Sequence, residues 1–273
     1  MGKLMLLPLL LALTLCVASA CTPADQKALL AFKAQFNDPS GVFASWSPQD
    51  PIYPDCCGWK GVRCEFVAPG RVTSVSLQGG EGVATVKKGV TGAGNSLGDL
   101  TGLKFLVLTQ IRFSFKHPVP PTLAKLKSLE TLGLSGTQFT GTTLPSFLST
   151  LTKLNDVTIE GNYFPDGIPA SFGNMKALGL LSLPSNGMKT IGKSASSLTK
   201  LKNLNYFSVA SNAITGRIPA WVGLLTPVKT TKDVYLQENK LTGPIPKSLS
   251  GLAVNSFRPG NPGLCGAPLA ACS

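Results

Sequence analysis

A recurrence of about 25 residues constrains this chain more than any other feature. Phe207, Val209, Asn212, Ile214, Gly216, Ile218 and Pro219 are answered by Val234, Leu236, Asn239, Leu241, Gly243, Ile245 and Pro246. Carried backwards, the second apolar position of each unit falls at Leu108, Leu134, Ile159, Leu183, Val209 and Leu236, at intervals of 26, 25, 24, 26 and 27. Leu77, 31 residues before Leu108, extends the series to seven units. Apolar residues two apart point to the same side of a short strand. The Asn three positions further on stands at an inner bend, where its amide can satisfy backbone groups that a tight coil would otherwise bury unpaired. The Gly-x-Ile-Pro step then turns the chain, because Gly permits unusual dihedrals and Pro fixes φ. An amphipathic helix series would repeat every 3.6 residues with no longer recurrence.

A period of roughly 20–30 residues carrying these residue types is the mark of a leucine-rich repeat, an α/β repeat solenoid. The expected architecture has about seven coils stacked on one continuous core, with a concave parallel sheet. The Asn position is held by Asn162, Asn186, Asn212 and Asn239 but by Ile111 and Thr137 in two earlier coils, so the ladder is weaker toward the N-terminal end. Of 273 residues, 43% are hydrophobic, 14% are charged and 29 are Gly, which suits a tightly coiled array and excludes a disordered chain.

Residues 1–20 read as a secretory signal: Lys3, an apolar run from Leu4 to Val17, and the small residues Ala18-Ser19-Ala20. Removing Lys3 lowers the net charge from +12 to +11. No other run is long enough to span a membrane. Six Cys follow the signal, at positions 21, 56, 57, 64, 265 and 272, an even number that suggests three disulfides at the two ends of the array. A metal site fits poorly, since Cys56-Cys57 are adjacent and no His is near. The expected division is 1–20 signal, 21–70 N-terminal cap, 71–252 repeats and 253–273 C-terminal cap.

The cap reads as a helix over 24–36, with Leu29, Leu30, Phe32 and Phe36 on its apolar side, and Trp46 and Trp59 covering the first coil. Here a resemblance becomes explicit. Ala24-Asp-Gln-Lys-Ala-Leu-Leu-Ala-Phe-Lys33, Trp46, Cys56-Cys57-Gly-Trp59 and Gly61-Val-Arg-Cys64 resemble the N-terminal cap of plant extracellular leucine-rich repeat proteins. Leu241-Thr-Gly-Pro-Ile-Pro246 and Gly260-Asn-Pro-Gly-Leu-Cys-Gly266 are similar to segments of polygalacturonase-inhibiting proteins and plant receptor-like ectodomains. The resemblance implies a right-handed solenoid with the pairings Cys21–Cys56, Cys57–Cys64 and Cys265–Cys272. Each such loop closure contributes on the order of 2–4 kcal/mol. Residues 79–100, with Glu81, Lys87 and Lys88, form a Gly-rich insertion read either as a binding loop or as a tolerated surface lengthening.

Alternation along the strands aims one set of side chains at the concave face. Phe105 and Val107 make it apolar at one end, small hydroxyl residues fill the middle, and Asp156, Glu160, Asp233 and Glu238 with Tyr206 and Tyr235 form an acidic and aromatic zone. The expected partner-binding residues are Phe105, Val107, Asp156, Thr158, Glu160, Tyr206, Asp233, Tyr235, Gln237 and Glu238. The lysines lie between the strands, among them Lys200, Lys202, Lys229 and Lys232, placed to hold an acidic polysaccharide such as pectin rather than nucleic acid. Inhibitors in the resembling group commonly present basic side chains beside the concave strands, and here those columns are neutral or acidic. No nucleophile, phosphate loop or enclosed carboxylate pair supports catalysis, and no cofactor is implied. The sequence therefore reads as a secreted, non-enzymatic binding module of the cell wall or extracellular space. Its partner would be a microbial wall hydrolase such as polygalacturonase, with a peptide ligand or receptor, or pectin, as alternatives.

Overall fold

The computed structural model describes residues 21–65, 70–80, 83–114, 117–192 and 194–272. The expected signal at 1–20 and Glu81 of the insertion lie outside the described residues. Helix α1 (Pro23–Lys33) opens the cap. Thirteen strands follow in chain order: β1 (Phe36–Asn37), β2 (Val62–Cys64), β3 (Val72–Gln78), β4 (Thr85–Val86), β5 (Phe105–Thr109), β6 (Thr131–Ser135), β7 (Asp156–Glu160), β8 (Leu180–Ser182), β9 (Tyr206–Ser208), β10 (Thr215–Gly216), β11 (Asp233–Tyr235), β12 (Lys240–Pro244) and β13 (Gly263–Cys265). The main sheet runs β2-β3-β5-β6-β7-β8-β9-β11. Its last seven strands are parallel, and β2 closes the N-terminal end antiparallel. β10, β12 and β13 form a second, flanking parallel sheet.

The register follows the sequence period. Leu77 pairs with Leu108, Leu108 with Leu134, and Leu134 with Ile159. These, with Leu183, Val209 and Leu236, make one inward row in which no member is more than 3% exposed. Five positions later a second row, Phe113, Phe139, Phe164, Met188, Ile214 and Leu241, is equally buried. Each coil thus seals its apolar stripe against the next, the arrangement that lets a solenoid have a core although a single coil has none.

The asparagines act as anticipated, and they form the polar counterpart of those rows. Asn186 Nδ2 donates to Ile159 O at 2.7 Å and Pro184 O at 3.1 Å, and its Oδ1 accepts from Asn162 N at 3.3 Å. Asn212 accepts from Asn186 N at 2.8 Å and Met188 N at 3.1 Å and donates to Leu183 O and Val209 O. Asn162 and Asn239 repeat the pattern. A further rung, outside the repeat period, is Asn261 in the C-terminal cap. It accepts from Leu241 N at 2.9 Å and donates to Leu236 O and Phe257 O. At the other end Thr137 takes the place of an asparagine and donates its hydroxyl to Asn162 Oδ1 at 2.7 Å.

The caps close both ends. Thr22 accepts from Asp25 N to cap α1, with Pro23 in its first turn. The helix is shorter than the sequence suggested: Phe36 leaves it to pair, within β1, with Val86 of β4. This pairing explains the insertion. Its described part docks on the cap, with Lys87 N donating to Gln35 O at 2.9 Å and Gly94 N to Gln35 Oε1 at 2.7 Å, and Ala84, Ala93 and Leu97 are buried. Trp46 and Trp59 are buried and stack at 5.8 Å, and Phe32, Phe36 and Phe43 continue the cluster to Phe113. The three disulfides join the pairs implied by the resemblance, with Cα separations of 5.6, 5.4 and 4.9 Å. Asp25 pins helix to sheet: fully buried, it accepts from Arg71 Nε at 2.9 Å, Arg71 Nη2 at 3.2 Å and Val72 N at 2.9 Å. That hydrogen bond raises the pKa of the Arg71 guanidinium above its ordinary value.

Two substitutions test these polar joints, and a third at the surface serves as control. Asn186→Ala strands two carbonyls and one amide, and at about 1 kcal/mol per lost bond it lowers stability by roughly 2–4 kcal/mol in urea denaturation. Asn203→Ala, whose single bond to Lys176 O lies at the surface, costs less than about 1 kcal/mol in the same assay. Asp25→Ala removes the buried anchor and costs about 2–4 kcal/mol, because Val72 N–H is left unpaired beneath the helix.

Candidate binding face

Because parallel strands pair in register, residues of matching position line up across the sheet. One row reads Arg63, Ser74, Phe105, Thr131, Asp156, Leu180, Tyr206, Asp233 from β2 to β11. The next reads Ser76, Val107, Gly133, Thr158, Ser182, Ser208, Tyr235. Adjacent members stand roughly 4.8 Å apart. None of the seven parallel strands contains Lys or Arg, whereas Asp156, Glu160 and Asp233 all lie on them. The face is therefore anionic on a chain whose net charge is +12.

At the C-terminal end the Tyr206 and Tyr235 rings lie 5.3 Å apart, and Tyr235 donates its hydroxyl to Asp233 Oδ1 at 3.1 Å. Burial, then the bond to Asp233, pushes the Tyr235 phenol above its usual pKa, so it stays a neutral donor. Gln237 adds a buried carboxamide oxygen with no hydrogen-bond partner among the described residues. Glu238 is exposed and accepts from the Ser211 hydroxyl.

The four carboxylates expected to form one zone are separated by the register. Asp156 lies three strands, roughly 14 Å, from Asp233. It lines a shallow depression with Glu130, Thr131, Lys153 and Asn155. Burial raises its pKa, opposed by the Thr158 hydroxyl at 3.5 Å. Glu160 stands at the opposite end of β7, in a separate hollow with Thr109, Ser135 and Ser185. At the N-terminal end Phe105 is 43% exposed, while Val107 is half-buried and faces the bare backbone of Gly133. Ser208 and Ala210, outward by simple alternation, are buried, Ser208 opposite Tyr235.

The flanking lysines differ among themselves. Lys200, Lys202 and Lys229 are exposed and have no ionic or hydrogen-bond partner among the described residues. Lys232 folds back to donate to Val228 O at 2.6 Å. Among the described residues no cluster of three or more His, Cys, Asp or Glu could hold a metal, and no helix is long and apolar enough to cross a membrane.

Residues 22–65 match the family described as Leucine rich repeat N-terminal domain. Receptor-like protein EIX1 of Solanum lycopersicum is 27% identical over 240 residues, which cover 87% of this chain and 20% of that protein. DNA damage-repair/toleration protein DRT100 of Arabidopsis thaliana is 38% identical over 44% of this chain and 33% of its own length. A polygalacturonase inhibitor of Vitis vinifera is 31% identical over 44% of this chain and 32% of its own length. The chain thus spans between a fifth and a third of these relatives. Among solved structures, the crystal structure of PEPR1-AtPEP1 superposes with a TM-score of 0.65 at 26% identity, covering 85% of this chain and 30% of that one. The matched cap, the in-register parallel sheet with disulfides at both ends, and these likenesses together show a leucine-rich repeat fold, in a chain similar to plant receptor-like proteins and polygalacturonase inhibitors.

Proposed function

We propose that this chain is a secreted binding module, without catalytic chemistry of its own, that captures another extracellular protein on its concave face. The observation that carries this reading is the segregation of charge. The seven parallel strands bear carboxylates, tyrosines and hydroxyls and no Lys or Arg, on a chain that is otherwise strongly basic. Such a face attracts a partner with a basic or aromatic surface and repels acidic ones. Tyr206 and Tyr235 supply rigid, half-buried aromatic area beside Asp233, the combination that anchors protein interfaces and receives a partner's Lys or Arg over a ring face. Among the described residues the concave carboxylates stand apart on an open sheet.

Relatives named polygalacturonase inhibitor make a microbial wall hydrolase the partner of choice. A peptide ligand is the alternative, favoured by the likeness to PEPR1-AtPEP1. A separate reading, retention on an acidic wall polysaccharide, rests on Lys200, Lys202 and Lys229, which have no partner among the described residues. It requires retention on polygalacturonate that disappears as salt rises.

The purified chain, titrated against a panel of fungal polygalacturonases while reducing ends are counted, is expected to inhibit at least one of them. Asp233→Ala and Tyr235→Ala each weaken that inhibition about tenfold, the effect of a central anchor. Inactivity against the whole panel removes the hydrolase as partner. Full inhibition by both variants removes the C-terminal half of the concave face as the site.

A further inference from the structure

A groove on the flank of the solenoid is left unused by every reading of the concave face. Two hollows, of about 420 and 260 Å³, share Thr143 and lie past the second buried row, where each coil turns toward its outer 3-10 turn. The lining comes from four successive coils, in segments 118–121, 140–147, 164–170 and 190–194, and none of it from a strand of the main sheet. Its apolar part is stiff: Pro121, Pro145 and Pro169 with the half-buried Phe147 ring. Its polar part is Asp166 with the hydroxyls of Thr143, Thr190 and Ser194. The exposed Asp166 carboxylate and the Thr143 and Ser194 hydroxyls have no hydrogen-bond or ionic partner among the described residues. Thr190 Oγ1 accepts from Gly192 N at 3.2 Å, which leaves its own proton available. Two glycines set these groups in place. Gly167 has φ +78°, and a Cβ there would stand 2.4 Å from Ile191 O; Gly192 has φ +128°, and a Cβ there would stand 2.3 Å from Ile168 O. The backbones beside Asp166 and Thr190 are thus in direct contact, and the site is formed before any ligand arrives.

Charge and hydrogen bonding narrow the ligand. Among the described residues no Lys or Arg lines either hollow, on a chain of net charge +12, and Asp166 repels an anion. An extended peptide needs backbone partners, yet the main-chain groups here are already paired between coils. Leu144 N donates to Gly167 O at 3.1 Å, and Asp166 N to Thr142 O and Ile168 N to Ile191 O, both at 2.8 Å, while the prolines have no N–H. What remains is hydroxyls that both donate and accept, one carboxylate acceptor, and apolar side chains able to cover a flat C–H surface. A sugar ring carries the matching set, with C–H groups on its faces and hydroxyls around its rim. We propose that this groove binds a linear chain of neutral sugars, with Asp166 accepting from ring hydroxyls, Thr143, Thr190 and Ser194 completing the polar contacts, and Pro145 and Phe147 covering a ring face. The linear form follows from hollows that stand in line across four coils, three steps of roughly 4.8 Å. The smaller hollow, about 260 Å³, falls just below the roughly 300–1,000 Å³ of small-molecule sites and has room for a single ring rather than a branched cluster. This goes beyond the concave-face reading. It also differs from retention through Lys200, Lys202 and Lys229, because binding of an uncharged ligand is not screened by salt.

The probes are linear hexasaccharides of β-linked glucose, mannose and xylose, with hexagalacturonate and a branched oligomannose glycan of the kind carried on glycoproteins alongside. Each is titrated by NMR into the isotopically labelled protein. At least one neutral linear probe is expected to shift the backbone amides of Thr143, Thr190 and Ser194 saturably, with the same affinity at low and high salt. Asp166→Ala weakens that binding about tenfold, the loss of a charge-assisted hydrogen bond, and Thr143→Val, which keeps the shape and removes the hydroxyl, weakens it about fivefold. Lys200→Ala leaves it unchanged. Asp166 is exposed and Thr143 keeps its shape, and unchanged resonances of Leu183 and Phe207 verify the fold of each variant. Absence of a saturable shift with all three linear probes overturns the proposal. So do binding undiminished in Asp166→Ala, hexagalacturonate held at these residues as tightly as the neutral chains, and preference for the branched glycan. No hydrolase is present and no concave residue is altered, so the outcome stands apart from the inhibition panel.

Discussion

Every coil of this protein bends sharply inward at the end of its strand, and the bend would bury backbone groups with nothing to bond. The asparagine ladder resolves that conflict. One carboxamide both accepts from amides of the preceding coil and donates to carbonyls of two coils, so each rung joins neighbours as well as completing its own turn. A side chain offering only an acceptor or only a donor could do half of this. The in-register sheet, the two buried apolar rows and the flanking sheet all presuppose that coils repeat without slipping, and the ladder holds them in step.

The ends pose a different problem, since a terminal coil has an apolar face and no neighbour. The N-terminal solution is aromatic and covalent. Seven rings, from Trp59 through Phe32 to Phe139, fill the space above the first coils, two disulfides hold the covering loops, and the buried Asp25 ties helix to strand. The C-terminal solution prolongs the repeat: Asn261 supplies a last rung, β13 extends the flanking sheet, and Phe257 and Leu264 seal the core.

What the sequence disclosed, and what it did not, divides along a physical line. Features that depend on period were legible: the leucine row, the four central asparagines, the turns at Gly216 and Gly243. Features that depend on a single long-range encounter were not. Nothing local to Asp25 announces Arg71, 46 residues away, and nothing in the Gly-rich insertion announces that Thr85 and Val86 pair with β1. Asn261 escaped notice as a rung because it follows Asn239 by 22 residues rather than about 25. At the site, alternation placed Phe105, Asp156, Tyr206 and Asp233 on one face correctly. Which of them stand together followed only from the register, which puts the tyrosines side by side and Asp156 two strands from Tyr206 and three from Asp233.

The caps are built independently of how many coils lie between them, and the cation of Arg63 sits on one while the carboxylate of Asp233 sits beside the other. Duplication or loss of one unit during descent would therefore leave both chemical ends intact and alter only their separation, by a single interstrand step of roughly 4.8 Å. Such a molecule is a ruler with fixed ends and an integer number of graduations: the span of its strand face would change one strand at a time, with no new side chain required.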